Sequence, residues 1–197
     1  MRSQRRSLTR FVGRHNVTYE SNTMSKHCTL VVVILAVFVS GCASSKVSVV
    51  PVAGALTHSV KSIAMSPDSG LLAEAVAVEL SNRGYTIIDS ATTSRTMVRL
   101  NLNEIDIARP EGLAKLREQG IDALLTVRAA GGYDEQPQSA TARVSSTHTG
   151  RVVAGITWQN GWGGQAGSIA DRTMRKGLAQ AAKEIADALA KNLRTEN

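Results

Sequence analysis

The chain has 197 residues, 43% hydrophobic and only 4% aromatic, with a formal net charge of +7. The charge is unevenly placed: residues 1–23 hold five Arg and one Glu and residues 24–41 a single Lys, so residues 42–197 carry only +2. The basic balance is therefore not a nucleic-acid footprint, no nucleic-acid partner is expected, and the 156 residues from Cys42 onward suit one domain with a real core.

Residues 1–23 are Arg-rich and polar, without an apolar period. A signal peptide begins within a few residues of its basic region, so the preferred reading starts translation at Met24; a long amino-terminal region on the signal is the alternative. Lys26 and His27 precede an apolar run of ten residues, Leu30 to Val39. A spanning helix needs about 20 residues, whereas a signal-peptide core takes about 7–15. Small residues and a cysteine follow, as Val39-Ser40-Gly41-Cys42. This stretch resembles the lipobox of bacterial lipoproteins. The resemblance implies that the Cys42 thiol receives a diacylglyceryl group, that the chain is cut between Gly41 and Cys42, and that the new amino terminus is acylated. Ala43, not Asp, comes next, which by resemblance to enterobacterial sorting implies the outer membrane, facing the periplasm. The other cysteine, Cys28, lies in the segment to be removed, so no disulfide is expected.

Residues 42–58 read as a tether with a first strand over Val47–Val52, too short to carry the domain far from the bilayer. The folded domain is expected over residues 59–193. Val60–Met65 reads as a strand, Ser66–Gly70 as a turn and helix cap, and Leu71–Arg83 as a helix. Leu72, Val76 and Leu80 edge its apolar face, widened by Leu71, Ala75 and Val78. Gly84 ends it in a left-handed conformation. Tyr85–Asp89 is the next strand, parallel to the first and beside it. Ser90–Asn103 alternates like a strand at Val98, Leu100 and Leu102, yet Asp89 or Ser90 supplies a helix cap. Helix is preferred, from its place between two strand–helix units.

Pro110 starts a helix over Glu111–Gln119, with Leu113 and Leu116 inward and Gly120 as its stop. Ile121–Ala130 is a strand, Gly131–Gln138 a polar loop, and Thr141–Thr147 with Arg151–Trp158 a hairpin around Thr149-Gly150. A Gly-rich loop, Asn160–Gly167, leads to a last helix over Ser168–Asn192. Met174, Leu178, Ala182, Ile185 and Leu189 form its core stripe, and Asp187 with Lys191 a surface pair. The expected fold is α+β (α/β-like): a single small domain with a mixed sheet of about four or five strands packed by about three or four helices.

No catalytic constellation emerges, and no metal or cofactor is expected. Gly161, Gly163 and Ala166 imitate a dinucleotide fingerprint, but no strand follows to carry a ribose-binding acid; the loop reads as an interaction surface. His58 and His148 have no cysteine partners and no helical ligand spacing. Glu74 and Glu79 lie five apart on one helix and read as no catalytic dyad. Asp134-Glu135 reads as a solvated pair, and Asp171, Arg172, Arg175 and Lys176 as the wet face of the last helix. Tyr133, Trp158 and Trp162 are the candidate partner contacts, since aromatics near polar loops often anchor a partner. For the two tryptophans the alternative is a place on the sheet core.

Three sets of residues carry a second resemblance. They are Ala73–Leu80 with Gly84–Asp89, Gly120–Leu125, and the hairpin end Thr149–Val153. Together they are similar to the periplasmic domain of the CsgG-like lipoproteins, a group that includes LpoB-type synthase activators and the amino-terminal domain of TolB. The chain lacks the long amphipathic hairpins of the pore-formers and the long disordered tether of the LpoB type. The resemblance then implies a lipid-anchored, non-catalytic binding or assembly module for an envelope complex, with an unidentified envelope protein as partner. The alternative is a self-associating, ring-forming scaffold of a secretion or appendage system. A small envelope enzyme is the least favoured reading.

Overall fold

A computed structural model of the chain describes residues 45–50, 58–131, 136–161, 165 and 168–195, all within the compact unit Cys42–Asn197. Six strands form one mixed open sheet: β1 (Ser45–Val49), β2 (Ser62–Met65), β3 (Thr86–Ile88), β4 (Ala123–Gly131), β5 (Pro137–Ser146) and β6 (Val152–Asn160). The order is β1-β6-β5-β4-β2-β3. β2 pairs in parallel with both β3 and β4, and the β4–β5–β6–β1 half is antiparallel throughout. The helices are α1 (Leu71–Ser81), α2 (Ser90–Arg99), α3 (Pro110–Glu118), α4 (Ile169–Met174) and α5 (Leu178–Thr195). The fold is the expected small α+β domain, with one strand more than expected.

α1 and α5 cover one sheet face. Ile63, Met65, Leu125, Val127, Ala142, Val144, Ile156 and Trp158 meet Leu72, Val76 and Leu80 of α1 and Ala182, Ile185, Leu189 and Leu193 of α5. α1 turns its stripe further than its outermost residues suggested: Ala73 and Ala77 are buried, while Leu71 and Val78 are 77% and 61% exposed. The two alanines let the helix approach the sheet closely. On the other face, α3 with Ile121 packs over Ala64 and Leu124, and Ile88, Leu100, Leu102 and Ile107 close that smaller core.

Local chemistry sets the boundaries. The helical reading of Ser90–Asn103 holds as α2, because Asp89 accepts the Thr92 N–H at 2.7 Å and fixes the first turn. The alternation of Val98, Leu100 and Leu102 is only the run-out of the helix. Asn101, at φ 52°, turns the chain out of it, as Asn can. Gly84 at φ 94° takes the left-handed position expected after α1, and Gly120, expected as the stop of α3, is left-handed as well at φ 77°. At Gly112 the constraint is contact: a Cβ there would lie 2.0 Å from the Asp106 carbonyl oxygen.

The last helix is not continuous. Its expected span, Ser168–Asn192, is broken between α4 and α5, and Arg175 is extended at ψ 140°. The Asn160 side chain takes up both backbone groups of Lys176, accepting its N–H and donating to its carbonyl, each at 2.9 Å. Met174 therefore falls outside the core stripe, whose buried positions begin at Ala181. Asp187, expected opposite Lys191, is ion-paired with Arg83 of the α1 end at 2.7 Å.

Candidate functional site

The strand directions collect one set of termini at one end of the sheet. Ser45 at the start of β1 faces Asn160 at the end of β6, and Gly131 at the end of β4 faces Pro137 at the start of β5. The segment expected to be a tether thus enters the sheet three residues after Cys42, a reach of about 10 Å. Asn160 binds this end together. Its amide donates to the Pro137 carbonyl at 2.9 Å as well as to that of Lys176, and its oxygen accepts the Gly161 N–H at 3.0 Å. The chain therefore leaves toward Tyr133 and toward Trp162 from neighbouring points. Tyr133, Asp134, Glu135, Trp162, Gly41 and Cys42 themselves lie outside the described residues.

Beside Asn160 sits a charged cluster that the sequence did not announce. Glu184 of α5 accepts from Ser45 Oγ at 2.5 Å, from Trp158 Nε1 at 2.9 Å, from Gln180 at 2.9 Å and from Lys176 Nζ at 2.5 Å. Lys176 also donates to Ser45 Oγ. Partial burial works against ionisation of this carboxyl, but the hydrogen bonds from Lys176, Ser45, Gln180 and Trp158 outweigh it and hold its pKa at about 2. Trp158 is 1% exposed, so it is a core residue whose N–H is satisfied inside the fold and not a surface anchor for a partner. The alternation of β6 placed it on the covered face; the register with Val47 of β1 and Ala140 of β5 shows why.

Asp171 and Arg175 also depart from the wet-face reading. Asp171 is 2% exposed and pairs with Arg175 at 2.8 Å, one helical turn on. At the opposite end of the sheet His58 and His148 stack, with ring centroids 4.3 Å apart. His148 Nε2 lies 4.0 Å from Asp122, whose other oxygen accepts the Lys61 and Ser62 N–H groups. The two histidines thus join the β5–β6 turn to the entry of β2. Glu74 accepts from Ser90 and Glu79 pairs with Arg83, so the two acids on α1 serve different contacts. Among the described residues no group of three His, Cys, Asp or Glu could hold a metal ion.

Two of the grooves on the described surface lie near this sheet. One, of about 590 Å³, runs between the starts of α1 and α5 and the end of β4, past Leu71, Val127, Gly131, Pro137 and Leu178. The other, of about 480 Å³, lies on the antiparallel half of the sheet away from α1 and α5 and is lined by strand residues alone.

No family model matches the chain, and no curated protein does. Among solved structures it is similar to the PelC dodecamer from Paraburkholderia phytofirmans, with 21% identity over 75% of this chain and 96% of that one, at a TM-score of 0.42. It is similar to lipoprotein GNA1162 from Neisseria meningitidis, with 22% identity over 65% of this chain and 98% of that one, at 0.40. TolB from Acinetobacter baumannii is a third, at 14% identity and a TM-score of 0.40, where the match takes in 77% of this chain and 32% of TolB. The likenesses are distant, and what the chain binds must be argued from its own residues.

Proposed function

We propose that the protein is an outer-membrane-anchored lipoprotein whose periplasmic domain is a non-catalytic binding or assembly module of an envelope complex. The observation that carries this reading is Val39-Ser40-Gly41-Cys42 at the end of a ten-residue apolar run. A strand that joins the sheet three residues later supports it, since it would hold the domain against the bilayer surface. Among the described residues no helix is long and apolar enough to cross a membrane. Acylation of Cys42 would supply the attachment, because two or more acyl chains give stable anchoring where one is marginal. On this reading the partner surface is the end of the sheet around Asn160, from which the chain leaves toward Tyr133 and Trp162. The test is Cys42→Ser in the native cell. Uncleaved precursor, absent from the outer-membrane fraction, is expected; a processed protein still in that fraction would refute the anchoring.

A second reading, the self-associating scaffold, is favoured by the sheet edges. β1 pairs with β6 alone and β3 with β2 alone among the described residues, so both edges offer free backbone groups to a second copy. Solution mass decides: a monomer at micromolar concentration contradicts the ring.

A further inference from the structure

The antiparallel half of the sheet has a face that α1 and α5 do not cover, and its composition is unusual. The strand register places its side chains in three rows. The first is Lys46, Gln159, Ser139 and Ala130; the second Ser48, Thr157, Thr141 and Arg128; the third Gly155, Arg143 and Thr126, with Val50 beside Gly155. Three cations and six hydroxyl or amide side chains share these rows, and no carboxylate does. Lys46, Arg128 and Arg143 are exposed, and none makes a hydrogen bond or ion pair with a described residue. Cations on protein surfaces are ordinarily interspersed with acids. Among the described residues, the carboxylate that meets the start of β1, that of Glu184, lies on the opposite face with Trp158 and is already taken by Lys176.

We infer that this face binds an acidic polysaccharide. Neighbouring strands are about 4.8 Å apart, so the second row offers a hydroxyl, a hydroxyl, a hydroxyl and a guanidinium across about 14 Å. A flat chain of acidic sugars laid along that row would meet Ser48, Thr157, Thr141 and Arg128 in turn, with Lys46 on one flank and Arg143 on the other. The groove of about 480 Å³ follows this row. Sugar hydroxyls exchange hydrogen bonds with Ser, Thr and Gln, and the carboxylates answer the three cations. A folded protein partner fits less well: a protein interface centres on aromatic or large apolar anchors, and these rows hold none but Val50 at the rim. A bilayer fits less well too. The cations sit at three successive levels along the strands, some 13 Å from first to last, so a membrane lying across the anchored end would meet Lys46 and leave Arg143 far from it.

A bilayer is set aside on the proposed anchoring at Cys42, while the rows of cations and hydroxyls stand without it. Failure of galacturonate binding leaves the anchoring untouched, and the vesicle arm tests the bilayer separately. The experiment titrates the full chain, purified in detergent, with a galacturonic acid tetramer by calorimetry, beside a neutral glucose tetramer, polyglutamate, and vesicles of phosphatidylglycerol. The galacturonate is expected to bind at low salt and weaken as salt rises. Lys46→Gln, Arg128→Gln and Arg143→Gln should each weaken it about fivefold, as for partly exposed ion pairs, with melting temperatures unchanged. Thr157→Val and Thr141→Val, which keep β-branching, should weaken galacturonate binding as well. No binding, equal binding of the neutral tetramer, or no response to the three charge variants would overturn the proposal. So would tighter binding of polyglutamate or of the vesicles that responds to the charge variants but not to the threonine variants.

Discussion

The hydroxyl of Ser45, three residues past Cys42, donates to the carboxylate of Glu184 in α5, and the two are 139 positions apart in the chain. The contact joins the strand next to the proposed anchor to the helix that fills the core. Lys176 and Trp158 meet the same carboxylate, so the start of β1, the end of β6 and the α4–α5 break share one ion.

Removing that ion should release β1 first. Glu184→Gln keeps the shape but loses the charge that Lys176 faces, and Glu184 with 19% of its side chain exposed is shielded enough for this to matter. The expected loss is about 2 kcal/mol. Hydrogen exchange should show the amides of β1 opening well before those of β4 and β5.

The same group sets an acid limit. Its pKa is lowered from 4.5 to about 2 on folding, so its contribution is complete above about 4.5 and is lost as pH falls toward 2. The size is at most about 3 kcal/mol. Urea melts between pH 2 and 6 should show this loss in the native chain and a flatter profile in Glu184→Gln.

Trp158 and Trp162 should separate. Trp158→Ala removes a buried indole and a donor to Glu184, and should cost about 3–5 kcal/mol in stability. On the proposed reading, Trp162→Ala should leave stability within about 1 kcal/mol and abolish capture of the partner. If it unfolds the domain, that indole belongs to the core and the end of the sheet is not the contact.

Gly112→Ala tests the packing of α3. The added Cβ would meet backbone at Asp106, not a flexible side chain, so the chain must shift. A loss of about 1–3 kcal/mol is expected, against about 1 kcal/mol or less for Gly70→Ala, where the Cβ meets open space. Thermal unfolding of the two variants makes the comparison.

How far the fold was legible follows from which interactions are local. The left-handed Gly84, the helix stop at Gly120 and a cap at Asp89 or Ser90 are written within a few residues, and the sequence reading found them, as it found the parallel β2–β3 unit. The break before α5 is made by Asn160 reaching Lys176, sixteen positions on, and the periodicity of Met174 and Leu178 ran straight through it. Glu184 drew no notice in the sequence, because Ser45 and Trp158 reach it only through the sheet register. Trp158 gave a usable signal: it alternates in phase with Ala154 and Ile156, which points it inward, and its nearness to a Gly-rich loop masked that phase. The cationic face is equally a product of register, since Lys46, Arg128 and Arg143 come from three separate strands.

The central claim is that Cys42 carries the acyl anchor of this domain, and intact-mass spectrometry of the protein purified from native membranes tests it most directly. The account predicts an amino terminus at Cys42 with a mass above that of residues 42–197 by a diacylglyceryl group and an amide-linked acyl chain. A chain beginning elsewhere, or an unmodified Cys42, would contradict it.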